Sequence, residues 1–125
     1  MFIVDTHSLI WYLTGNEKLS DTAETLLKQA DSGEIDAVIP TIVLAEALFI
    51  SEKTGAEFNS LLEKVESGSN YQVYPLNIRI IKKMKDIEED YSIHDKVIAA
   101  TSKILEAEII TGDEELREGK ANTIW

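Results

Sequence analysis

Phe2-Ile3-Val4-Asp5-Thr6 gives three apolar residues, then an acid, then a hydroxyl. The apolar run reads as a short buried strand. Asp5 follows at its carboxyl end, and aspartate is also a good N-cap for a helix beginning near Thr6. Three further runs have the same character: 37–39 stopped by Pro40, 71–74 stopped by Pro75, and 108–111. A weaker fifth covers 121–124. Between them, helical periodicity covers about 7–14, 20–32, 41–53, 56–67, 77–90 and 93–106. Gly15, Gly33, Gly55 and Gly68 follow helical stretches, where left-handed C-caps belong. Ser20-Asp21, with Glu24 in the first turn, is a helix start. Strands alternating with helices imply a parallel sheet covered on both faces. The expected fold is therefore α/β, a three-layer α/β/α sandwich around a mostly parallel sheet of about five strands. One domain is expected over residues 1–125.

Four carboxylates stand next to apolar segments. Asp5 follows Val4, and Glu46 interrupts Ile42-Val43-Leu44-Ala45 and Ala47-Leu48-Phe49-Ile50. Asp95 opens Lys96-Val97-Ile98-Ala99-Ala100, and Asp113 follows Ile109-Ile110-Thr111-Gly112. In a parallel sheet, ligand sites form at the carboxyl ends of strands, and all four acids can reach that edge. An acid beside buried surface stays charged only with compensation. If the four converge, a divalent cation with oxygen ligands supplies it, which points to metal-dependent phosphodiester hydrolysis. Each acid also has a plainer reading. Asp5 can simply cap a helix, Ser92-Ile93-His94-Asp95 matches a capping box, and Asp113 can sit in a turn. Glu46 is the hardest to dismiss. Helical geometry groups it with Ile42, Val43, Phe49 and Ile50, an apolar stripe where a lone carboxylate is costly. Its plain reading is an ion pair with a lysine.

Composition narrows the classes further. The 125 residues contain no cysteine, which excludes disulfides, thiolate zinc sites and cysteine nucleophiles. The longest apolar stretch, 42–50, is too short to span a bilayer and contains Glu46. Asp5 precedes any basic residue, so no signal sequence is expected and the location expected is cytoplasmic. His7 and His94 lack metal-ligand spacing, and no phosphate-cradling glycine motif occurs. The formal net charge of -11 opposes long-range attraction of a polyanion and suits a basic partner. One basic cluster, Arg79, Lys82 and Lys83, shares a helix face. It is either a solvated face or a rail for phosphates.

Phe2-Ile3-Val4-Asp5-Thr6-His7, Glu46 in a helix after a strand, His94-Asp95-Lys96-Val97-Ile98-Ala99-Ala100-Thr101 and Ile109-Ile110-Thr111-Gly112-Asp113 together resemble the PIN domain. Within that family, the chain is most similar to VapC-type toxins of toxin–antitoxin pairs, over nearly its whole length. The resemblance implies a Mg²⁺- or Mn²⁺-dependent ribonuclease with Asp5, Glu46, Asp95 and Asp113 as its acidic cluster. It also implies supporting roles for Thr6 and Thr111, an RNA substrate, a small antitoxin partner and a homodimer. Three alternatives share the acids: an interaction module that binds a partner's arginine, a DNA nuclease of related fold, and a receiver-like domain. The last lacks the required Asp after the third strand, where Tyr74-Pro75-Leu76 stands.

Overall fold

Phe2, Ile3 and Val4 are buried and form β1 (Phe2–Val4), the middle strand of the sheet. The computed structural model describes residues 1–54, 57–67 and 70–125. After β1 come α1 (Thr6–Thr14), α2 (Asp21–Asp31), β2 (Ala37–Pro40), α3 (Thr41–Thr54) and α4 (Phe58–Glu66). Then follow β3 (Tyr71–Tyr74), α5 (Ile78–Met84), α6 (Ile93–Leu105), β4 (Glu108–Ile110), α7 (Glu114–Glu118) and β5 (Thr123–Ile124). The strand order is β3-β2-β1-β4-β5, and every pairing is parallel. The sheet is thus wholly parallel, as its uniformly strand–helix–strand connections require.

The order fixes the layers. β1, β2 and β3 step outward in one direction, whereas β4 and β5 step outward in the other. Right-handed crossovers then put α1 to α4 on one face and α5 to α7 on the opposite face. The core divides accordingly. One cluster joins Leu9, Ala23, Leu27, Val43, Ala47 and Leu61 to the strands. A second joins Ile80, Ile87, Tyr91, Val97, Ala100 and Leu116. The direction reverses between β1 and β4, and a crevice opens there at the strands' carboxyl ends.

Local signals set most boundaries. Gly15 has φ +67° and its N–H meets Trp11 and Tyr12 carbonyls, so α1 ends in a left-handed cap that glycine adopts without strain. Ser20 caps α2 by accepting from Ala23 N at 3.1 Å. Gly33, with φ +88°, stands one residue beyond the C-cap of α2, Ser32. The expected caps at Gly55 and Gly68, and Ala56, lie outside the described residues. Pro40 belongs to β2 rather than following it, paired with Tyr74. β1 pairs β2 only as far as Ile3 with Val38, so the missing proline N–H interrupts no bond on that side.

Two elements differ from expectation. The helix expected over 77–90 ends at Met84, and Asp86 and Ile87 donate back to Lys83 and Met84 carbonyls in a tightening turn. Asp86, Glu88, Glu89 and Asp90 would load anions onto a helix C-terminus, where the dipole disfavours them. After Gly112, where a turn is the plainer reading of Asp113, the chain instead forms an unexpected helix, α7. Asp113 caps it, accepting from Leu116 N at 3.1 Å, and Glu114 and Glu115 sit favourably in its first turn.

Candidate functional site

Asp5 is built into the reversal point. Its N–H donates to the Ile110 carbonyl at 3.2 Å, tying the end of β1 to the end of β4. Its Oδ1 accepts from Ser8 N at 2.9 Å, so Asp5 is the N-cap of α1 as well as a pocket acid. Oδ2 accepts from the Thr111 hydroxyl, and the Thr111 hydroxyl oxygen in turn accepts from Asp113 N at 3.0 Å. One fully buried threonine therefore orients Asp5 and anchors the loop that carries Asp113. Asp5 is only 7% exposed. Burial pushes its carboxyl above the ordinary carboxylate range, against the hydrogen bonds from Ser8 and Thr111 and the field of His7.

Asp95 lies in the first turn of α6, its N–H donating to the Ser92 hydroxyl at 3.2 Å. The expected capping box is thus present in its forward half. Burial raises the Asp95 carboxyl, and the charges of Asp113 and Glu115 raise it further, opposed by His94 and the Ser92 hydrogen bond. Carboxylate oxygens of Asp95, Asp113 and Glu115 lie within 4.8 Å of one another. Glu115 has no counterpart in the sequence reading. Its position depends on α7, which brings its second residue back toward Asp95; Asp113 as a helix cap was the available signal.

Glu46 reaches the same pocket from α3, but not from a buried apolar stripe as expected. The buried face of α3 is Val43, Ala47 and Ser51, and Leu48 and Phe49 are 42% and 56% exposed. Glu46 is half-buried beside His94, whose Nδ1 is 3.4 Å from Glu46 Oε2. The other ring nitrogen, Nε2, shares a 3.1 Å hydrogen bond with Thr6 Oγ1. His94 thereby links α1, α3 and α6, a role its spacing from His7 concealed, and it takes the place of the lysine partner considered for Glu46.

Asp5, Thr6, His7, Glu46, Ser92, His94, Asp95, Ile98 and Asp113 line one pocket of about 200 Å³. All four sequence-selected acids line it, with no lysine or arginine among the described lining residues. Only Asp95 and Asp113, joined by Glu115, form a group whose carboxylate oxygens lie within 4.8 Å of one another; Asp5 and Glu46 stand outside that group. A hard, all-oxygen donor set with two carboxyls held above their ordinary range fits a divalent cation. The exposed Arg79 and Lys82, with Lys83 near Asp86 at 3.8 Å, stay on α5 and do not line it.

A family model of the PIN domain matches residues 2–121. The chain belongs to the PIN-domain family. Membership supports nuclease chemistry, and the carboxylate cluster is compatible with the divalent metals that PIN nucleases use. No curated protein sequence matches the chain. Its fold is shared by solved PIN-like structures at low identity. A chain in a toxin–antitoxin complex from Klebsiella pneumoniae superposes with TM-score 0.74 at 18% identity, covering 100% of this PIN domain and 97% of that chain. VapBC2 from Rickettsia felis, bound to a DNA fragment from its promoter, gives 0.72 at 15%, with 99% and 98% covered. FitAcB from Neisseria gonorrhoeae gives 0.71 at 17%, with 100% and 97% covered. Among the described residues, no helix is long and apolar enough to cross a membrane.

Proposed function

We propose that this chain is a single-domain, metal-dependent endoribonuclease, the toxin of a type II toxin–antitoxin pair. The observation that carries the reading is the convergence of Asp5, Glu46, Asp95 and Asp113 on one pocket without a lysine or arginine in its lining. Asp5, Asp95 and Asp113 would hold Mg²⁺ or Mn²⁺, with Glu46 and Glu115 directly or through water. Held there, such a cation would supply Lewis-acid charge to a phosphate oxygen and acidity to water. The chain's own residues do the positioning. Ser8 and Thr111 fix both oxygens of Asp5. Thr111 also holds the Asp113 backbone, and His94, held by Thr6, steadies Glu46. α5 packs against α6, so Arg79, Lys82 and Lys83 can offer phosphate contacts on the helix next to the one that carries Asp95.

The antitoxin reading draws on the net charge of -11, which suits a basic segment reaching into the acidic pocket. A homodimer and a cytoplasmic location belong to the same proposal. The test is RNA cleavage with Mn²⁺ or Mg²⁺, set against EDTA and the Asp5→Asn variant. Cleavage that persists in EDTA, or undiminished in the variant, refutes the mechanism. Cleavage of single-stranded DNA alone would redirect the reading to a DNA nuclease. The strongly acidic balance also favours a second reading, a silent module whose pocket receives an arginine; calorimetry separates the two, because an arginine receptor takes up no cation.

A further inference from the structure

An RNA strand is a polyanion, and a chain of net charge -11 offers its phosphates little attraction away from the metal site. Bases can instead be held through their π faces, which stack on aromatic side chains whatever the protein's charge. Both ring–ring contacts among the described residues belong to one row. His7 and Trp11 have centroids 5.6 Å apart, tilted by 50°, and Trp11 and Trp125 lie 6.1 Å apart, tilted by 58°.

One end of the row lines the acidic pocket, and the other lies beside the loop that carries Asp113. His7 is exposed and lines the pocket that Asp5 enters. Trp125 lies against the loop between Thr111 and Asp113, so closely that a Cβ at Gly112 would come within 2.8 Å of its ring. Trp11 and Trp125 are partly buried, packed against the core with part of each ring open to solvent. Trp11 also walls a cavity of about 630 Å³, and Trp125 one of about 430 Å³ that includes Arg117. Lys18 Nζ stands 5.9 Å from the Trp11 ring. Core packing accounts for the covered faces of the tryptophans, but not for an imidazole left open at the mouth of the acidic pocket.

We propose that His7, Trp11 and Trp125 form a stacking platform for bases of single-stranded RNA that flank the phosphate held at the acidic pocket. This rests on the ribonuclease reading for its substrate, and its test is separable from it. Both tryptophans of the chain lie in the platform, so intrinsic emission reports its occupancy directly. The wild-type chain in EDTA is titrated with a single-stranded RNA of about eight nucleotides. A second titration uses a strand of equal length with abasic positions.

The expected result is saturable quenching by the base-bearing strand, with about tenfold weaker binding for each base lost from the platform. His7→Ala, at an exposed position, should weaken the base-bearing strand several-fold and leave the abasic strand unchanged. Unchanged emission, equal affinity for the two strands, or an indifferent His7→Ala overturns the platform. A parallel Mn²⁺ cleavage assay separates the two ideas. Cleavage without quenching removes the platform alone, whereas quenching without cleavage leaves a single-strand-binding site and removes the nuclease.

Discussion

Asp5 performs two tasks that substitution can part. Its side chain caps α1 through Ser8 N, and its buried charge faces the pocket. Asparagine caps about as well as aspartate, whereas alanine loses the cap at a cost of about 1 kcal/mol. Asp5→Asn should therefore melt no lower than the wild type in EDTA, and higher near neutral pH where the buried charge is gone, while losing cleavage, and Asp5→Ala gives up the cap; a thermal melt beside the RNA assay reads this. A pH dependence follows from the same residue. The folded carboxyls of Asp5 and Asp95 lie above the ordinary 3.8, raised chiefly by burial. Between 3.8 and those raised values the folded state binds more protons than the unfolded, so stability increases as pH falls into that window. Metal-free protein should therefore melt higher as the pH is lowered from neutral into that window. The gain should shrink in Asp5→Asn, which separates this carboxyl from the general relief of negative charge. Asp31 acts in the opposite sense and at lower pH. Burial alone would raise its carboxyl, but Tyr12, Tyr71 and Lys64 hold it below 3.8, so its stabilisation fades only beneath that value. A metal-free melting temperature that falls as the pH enters that window from neutral would contradict the Asp5 assignment.

At the scale of the element, helix junctions bring the acids together. His94 on α6 spans from Glu46 on α3 to Thr6 on α1, within the lining of the acidic pocket. Removing a residue that orients a metal ligand weakens metal affinity by about 10–100-fold. His94→Ala should do so toward Mn²⁺ by calorimetry, and His94→Asn, which keeps a donor near Nδ1, should recover part of it. An unchanged Mn²⁺ affinity in His94→Ala would mean that Glu46 needs no partner. The Thr111-Gly112-Asp113 turn is equally constrained. Gly112→Ala places a methyl against the Trp125 ring, and overpacking of this kind costs about 1–3 kcal/mol. A lowered melting temperature and shifted tryptophan emission should accompany it. These junctions also show what the sequence makes legible. Asp5, Asp95 and Asp113 declare themselves because each adjoins an apolar run, and the strands because those runs end in acids, prolines or threonine. α7 is five residues long, too short for periodicity to register, so Glu115 reads as one more solvated acid until the helix turns it toward Asp95. Glu46 is found for a reason the fold does not share, since the apolar residues around it are partly exposed. Strand order escapes as well, because hydrophobic pattern marks a strand as buried without naming its neighbours.

For the whole molecule, the order β3-β2-β1-β4-β5 draws acids distant in sequence to one edge of a chain already at -11. Like charges so placed oppose folding, and part of that opposition should vanish when a divalent cation binds. Ligand that binds only the folded state stabilises it by about 2.7 kcal/mol at a hundredfold excess over Kd. For a chain of 125 residues, that raises the melting temperature by about 10 °C. Screening alone would also help an acidic protein, so the comparison must be with sodium chloride at matched ionic strength. Mg²⁺ or Mn²⁺ should raise the melting temperature well beyond that control, and EDTA should reverse the gain. Asp95→Asn should abolish most of it, because this substitution removes a carboxylate from the tight group with Asp113 and Glu115. Lowering the pH should weaken the metal's effect while stabilising the metal-free form, since protons and cation compete for the same oxygens. The two melting curves against pH should therefore converge toward acid. If divalent and monovalent salts raise the melting temperature equally at every pH, the acids are a solvated edge and no cation site exists there.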